Sequence, residues 1–280
     1  MSDPLVTTAW LAGRLDDPKV VVVDGSWHMP GSGRDARAEF SGGHIPGGVF
    51  FGIDEVCDHS TSLPHMLADP AEFAVAVRRL GVSRDSHVVV YDSLGLFSAA
   101  RVWWNFRVMG HEATSVLDGG LPRWIAEGLP LETGWPTPVH GDFKARPIPA
   151  LVADLAAMRR AVDVGVPMIV DARAADRFSG TAPEPREGLR GGHMPGARNA
   201  PWSTVVRDGR LLEPAELAAA FASAGVDLTI PIITTCGSGV SAALLALALA
   251  RVGREDATVY DGSWSEWGAL ADTAVATGPA

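Results

Sequence analysis

A cysteine followed by Gly-Ser-Gly, where a β-branched run meets an alanine-leucine run, is the group in this sequence best placed to do chemistry. It is Cys236, in "PIITTCGSGVSAALLALALARVG" (residues 231–253), and Cys57 is the only other cysteine in 280 residues. Residues 232–235 read as a strand and 241–251 as a helix, which leaves CGSGV as the connecting loop. Gly237 and Gly239 permit positive φ, so the N–H groups running through Ser238 to Val240 can turn inward as an anion-binding nest. The start of the helix adds its partial positive charge. Such a place favours a thiolate, the nucleophilic form of the residue. The plainer alternative is a buried small hydrophobe, but the two glycines and the strand-to-helix position favour a reactive thiol.

Stepping outward, the elements that hold this loop occur twice. "VVVVDGS" (20–26) is echoed by "PMIVDAR" (167–173), and "SGGHIPGG" (41–48) by "RGGHMPGA" (190–197). "VVVYDSLGLFSAARVWW" in the first half and "IITTCGSGVSAALLALA" in the second begin the same way, and both halves continue to a DGG/DGS…W ending at Trp124 and Trp267. Matches in the same order at nearly constant separation indicate a tandem of two similar domains, expected at 1–135 and 151–280. Residues 136–150 between them form a proline-rich linker. Short β-branched runs (20–23, 88–91, 169–170, 232–235) alternate with helical patterns such as 70–80 and 214–224, which close at Gly81 and Gly225. The expected fold class is therefore α/β, each domain a mainly parallel sheet with helices on both faces. Sites in such sheets lie beyond the carboxyl ends of the strands, where Cys236 falls.

The repeat also supplies a control. At the position of Cys236 the first half has Asp92, which cannot act as a sulfur nucleophile, so the first domain is expected to keep the fold without the chemistry. Six residues after the cysteine stands Ala242, where a cysteine phosphatase would need an arginine to grip phosphate. That reading ranks second. The net charge of −10 disfavours nucleic acid and anionic membranes as partners. The chain is 47% hydrophobic, enough for buried cores. Two cysteines fit a reducing compartment, and the opening "MSDPLVTTAWLAGRLDD" lacks a signal-peptide pattern. A cytoplasmic setting is expected.

These residues resemble the two-domain rhodanese, or sulfurtransferase, family, with GHxPG in each half and one active-site cysteine in the second. Thiosulfate-using members carry basic residues just after the cysteine. The uncharged "CGSGVSA" is instead similar to the loop of the subgroup that uses 3-mercaptopyruvate. The resemblance implies a persulfide formed on Cys236, pyruvate released, and the sulfur passed to cyanide, a small thiol or a thioredoxin-like dithiol. No cofactor is implied. In "DRFSGTAPEPREG" (176–188), it implies that Arg177 and Arg186 hold the substrate carboxylate, where paired guanidinium groups give bidentate bonds and charge neutralisation. The alternative there is a set of solvated ion pairs with Asp176, Glu184 and Glu187, which would contribute little. In "FGIDEVCDHSTSLPHML" (51–67), it implies that Asp54 and His65 join Ser238 in a charge-handling triad.

Other tempting residues get structural expectations. His44 and His193 occur in both halves, one of them chemically empty, and so do Asp24 and Asp171 at the strand ends. The spacing in "CDHSTSLPH" (57–65) is unlike established zinc patterns. The nine tryptophans are expected to serve core and interdomain packing rather than a binding platform. Two alternatives remain open: a thiosulfate:cyanide sulfurtransferase, and a non-catalytic thiol sensor or sulfur-carrier module. A carboxylate clamp at Arg177 and Arg186 counts against the second.

Overall fold

The computed structural model describes residues 3–279. The chain divides into two compact units whose boundaries are not contiguous in sequence. The first runs to Asp58 and includes Leu67–Ile148 and Asp208–Leu211. The second comprises His59–Met66, Pro149–Arg207 and the chain from Leu212 onward.

In the first unit five parallel strands, β1 (Leu5–Val6), β2 (Val20–Asp24), β3 (Val49–Phe50), β4 (His87–Tyr91) and β5 (Thr114–Leu117), form one sheet in the order β1-β5-β4-β2-β3. The β-branched runs VVVVD and HVVVY become the central strands because both faces of a parallel sheet are covered. The unit's helices are α1 (Thr8–Ala12), α2 (Ala36–Gly42), α3 (Pro70–Arg79), α4 (Ala99–Val108) and α5 (Gly120–Ala126). Helix α3 starts where the sequence places a start: Asp69 accepts the Ala71 N–H at 2.8 Å, with Pro70 in the first turn.

The second unit repeats the plan. Strands β6 (Val152–Ala153), β7 (Met168–Asp171), β8 (Arg198–Asn199), β11 (Ile232–Thr235) and β12 (Thr258–Tyr260) form a parallel sheet in the order β6-β12-β11-β7-β8. The two-residue strands β9 (Val206–Arg207) and β10 (Arg210–Leu211) lie outside both large sheets. With β9 and β10 set aside, the second order is the first one over again. The helices here are α6 (Leu155–Val164), α7 (Ala175–Ser179), α8 (Pro214–Ser223), α9 (Val240–Arg251) and α10 (Ser263–Trp267). Helix α9 begins one residue earlier than its alanine-leucine pattern indicates, so Val240 is helical and the cysteine loop is shorter. Residues 242–250 of α9 are buried all round. Its alanines let it lie close against the sheet, and its leucines fill the space between.

Five tryptophans (103, 104, 124, 264 and 267) are essentially fully buried, as packing residues should be, whereas Trp135 is half exposed. The proline-rich stretch is ordered against the first unit. Its backbone bonds run Gly141 to Arg78, Phe143 to Val82 and Arg146 to Met109, and the Phe143 ring is buried.

Candidate active site

Strand β11 is the central strand of its sheet, flanked by β7 and β12. Its carboxyl end, in register with Asp171, delivers Cys236 to the edge where parallel sheets place their sites. Cys236 is almost wholly buried. Its Sγ accepts the N–H of Gly239 at 3.1 Å, directly at the start of α9. The two loop glycines do different work. Gly239 takes φ +82 as it caps α9, a conformation that favours glycine. Gly237 does not use positive φ. A side chain there would come within 3.0 Å of the Arg177 guanidinium, so its bareness makes room for that cation beside the thiol.

Helix α10 pins the loop from outside. The Trp264 N–H donates to the Cys236 carbonyl at 2.9 Å. Both the N–H of Ser265 (2.9 Å) and its hydroxyl (2.7 Å) donate to the Gly237 carbonyl. In a planar trans peptide the C=O and the following N–H point opposite ways. Anchoring these carbonyls on α10 therefore turns the Gly237 and Ser238 N–H groups away from α10, into a common concavity.

Arg177 sits in a charge network that sequence reasoning missed. Glu184 accepts from Arg177 Nη2 through one carboxylate oxygen and from Arg173 Nη1 at 2.7 Å through the other. Arg173 donates in turn to Asp171 (Nη2 to Oδ2, 2.7 Å) and to the Gly192 carbonyl, and stacks over Trp264. The side chains of Asp171, Arg173 and Glu184 are each only 1% exposed. The alternative of solvated ion pairs around Arg177 does not hold: its partner Glu184 is a buried carboxylate shared by two guanidinium groups. Arg173, two residues after a repeated strand-end aspartate and replaced by Ser26 in the first half's "VDGS", was the available signal.

Arg186 Nη2 lies 3.4 Å from His65 Nε2. His65 is buried and takes φ +62, rare for a residue with a side chain. The structure therefore brings together Cys236, Gly237 and Arg177, and separately His65 and Arg186. Asp54 belongs to the first unit, where its carboxylate accepts the Trp27 indole N–H at 2.8 Å. His44 and His193 are twins: each Nδ1 bonds a backbone carbonyl (Phe40 and Phe178), and each ring stacks on that same phenylalanine. They are turn-building residues. Cys57 donates its S–H to the Asp54 carbonyl, and burial pushes its thiol up, keeping it protonated.

The first unit shows what the cradle does without a cysteine. Asp92, fully buried, accepts the N–H groups of Leu94 (2.9 Å), Phe97 (2.7 Å) and Ala99 (2.9 Å) on its own carboxylate. The loop there has wrapped around an internal anion.

A rhodanese-like domain model matches residues 7–127 and again 151–270. The 3-mercaptopyruvate sulfurtransferase of Escherichia coli (strain K12) is 46% identical over 267 residues, covering 95% of each chain. A thiosulfate sulfurtransferase of Cricetulus griseus is 43% identical over 271 residues, covering 94% of this chain and 91% of its own. The crystal structure of SseA from Escherichia coli, described as a 3-mercaptopyruvate sulfotransferase with the rhodanese fold, superposes with a TM-score of 0.87 at 43% identity, over 94% of this chain and 99% of that one.

Proposed function

This chain belongs to the rhodanese family of sulfurtransferases, and on that premise we propose that it moves the sulfur of 3-mercaptopyruvate through a persulfide on Cys236 to a thiol or cyanide. The observation that carries the reading is the Cys236 sulfur itself, bonded by the Gly239 N–H at the start of α9, with the Arg177 guanidinium close against the next residue, the bare Gly237.

In the proposed cycle the Cys236 thiolate attacks the donor sulfur. A sulfur–sulfur bond forms, the carbon–sulfur bond breaks, and its electron pair passes to the carbon as an enolate. That enolate takes up the proton of the donor thiol and leaves as pyruvate, with the enzyme as a persulfide. Arg177 and Arg186 hold the donor carboxylate and offset the developing enolate charge. Ser238 and His65 carry the proton, with Asp54 the third member that the family resemblance implies. The outer sulfur rests on the loop N–H groups. Cyanide or a thiolate, including that of a thioredoxin-like dithiol, attacks it, leaving as thiocyanate or a new persulfide and restoring the Cys236 thiolate. The two free cysteines fit a reducing, cytoplasmic setting.

Sulfurtransferases with either donor in their names are similarly related to this chain, so the donor is argued from the loop. Thiosulfate is a dianion, and "GSGVSA" after Cys236 offers it no cation. Steady-state turnover with each donor, using cyanide as acceptor, tests the reading. It predicts a clear preference for 3-mercaptopyruvate, and a loss of about a thousandfold or more in Cys236→Ser. A preference for thiosulfate would overturn the donor. Full activity in Cys236→Ser would overturn the nucleophile.

A further inference from the structure

The two halves of this chain make the same bond at the same place and then diverge. In the first unit the Leu121 N–H donates to the Asp92 carbonyl at 3.0 Å; in the second the Trp264 N–H donates to the Cys236 carbonyl at 2.9 Å. The residue before each donor stands in the left-handed region: Gly120 at φ +52 and Ser263 at φ +50. Glycine adopts that conformation without strain, whereas serine does so at a cost. In the first unit a side chain there would also strike the Asp92 and Gly95 carbonyls at 2.5 and 2.6 Å. The second unit places a strained, fully buried serine where the first needs a glycine.

The hydroxyl of that serine is engaged on both sides. Ser263 Oγ donates to the Tyr260 carbonyl at 2.8 Å and accepts the Cys236 N–H at 3.3 Å. Two residues on, Ser265 clamps the Gly237 carbonyl with both its N–H and its hydroxyl, where the first unit has Pro122, which offers neither donor. Three of these added bonds fall on the sulfur loop, one at the Cys236 N–H and two at the Gly237 carbonyl, and the fourth holds Ser263 itself on the Tyr260 carbonyl. None has a counterpart in the half that lacks the cysteine.

We propose that Ser263 is a positioning residue for sulfur transfer, retained despite its backbone strain because its hydroxyl holds the Cys236 N–H and so sets the sulfur against the loop N–H groups. The role rests on the reading of Cys236 as the sulfur carrier.

The test is Ser263→Gly and Ser263→Ala in the full chain. Glycine already holds this conformation at position 120, so Ser263→Gly is expected to keep the thermal midpoint close to the parent's. Its kcat with 3-mercaptopyruvate and cyanide should fall roughly tenfold, with KM within about twofold. Ser263→Ala keeps the strain without the hydroxyl, and should show the same fall in kcat with a lower midpoint. Alkylation of Cys236 by iodoacetamide, read on its peptide by mass spectrometry, should slow in both variants. Parental kcat and alkylation in a folded Ser263→Gly would overturn the proposal. So would a loss of activity that merely tracks the unfolded fraction. A parent that turns over no 3-mercaptopyruvate, yet whose Cys236 alkylation slows on removing the hydroxyl, would sink the reading of function and uphold the positioning role.

Discussion

Replacing Glu184 with glutamine removes the carboxylate that Arg173 and Arg177 share. Arg173 is buried and would lose one of its two counter-charges, so the variant should be less stable by about 2–4 kcal/mol in a denaturant titration. Arg177 would lose its anchor, and KM for 3-mercaptopyruvate should rise more than kcat falls. Asp24 gives a second test, through pH. Burial raises its carboxyl from 3.8 to about 6. The folded chain therefore binds that proton more tightly than the unfolded chain does. The stability it contributes is complete below about pH 4 and is lost as the pH rises through 6. Asp24→Asn should flatten the stability profile across that window, removing a change on the order of 3 kcal/mol; an unchanged slope would contradict the assignment. At this scale Cys236 was legible because loop glycines and a strand-to-helix junction mark it in one dimension. Glu184 was not legible, since adjacency in sequence cannot reveal that a glutamate two residues from Arg186 folds under Arg173.

The β11–loop–α9 unit derives its rigidity from burial on every side. Leu247→Ala, at a fully buried site on α9, should cost about 2–5 kcal/mol and leave turnover per folded molecule intact. In the first unit Asp92→Ala would leave three loop N–H groups without their acceptor, at about 1–3 kcal/mol for each group that stays buried and unpaired. Sulfur transfer per folded molecule should not change, because Asp92 takes no part in it. A fall in kcat beyond the loss of folded protein would contradict the division of labour between the halves. The elements themselves were readable from β-branched runs and glycine stops, and α3, α8 and β11 lie where those signals place them. The use of each loop glycine was not readable. Composition cannot separate a glycine chosen for its φ, as at Gly239, from one chosen for the space it leaves, as at Gly237.

Across the whole chain, duplication organises everything else. One sheet order occurs twice, and so does the stacked histidine that builds the turn after α2 and α7. The second copy alone carries a cysteine in the strand-to-helix loop, the Arg173–Glu184–Arg177 network and the two serines that pin the loop. Repeats in the sequence announced the architecture. The exchange of residues 59–66 and 208–211 between units lay beyond their reach, because it depends on packing rather than pattern. Transfer through Cys236 requires the sulfur to reside on one atom of the chain. The direct measurement is the intact and peptide mass of the protein after 3-mercaptopyruvate is added without an acceptor. The expected result is a gain of one sulfur atom on the peptide bearing Cys236, matched by one equivalent of pyruvate and erased by cyanide. Pyruvate released with no sulfur on Cys236, or sulfur found on Cys57 instead, would contradict it.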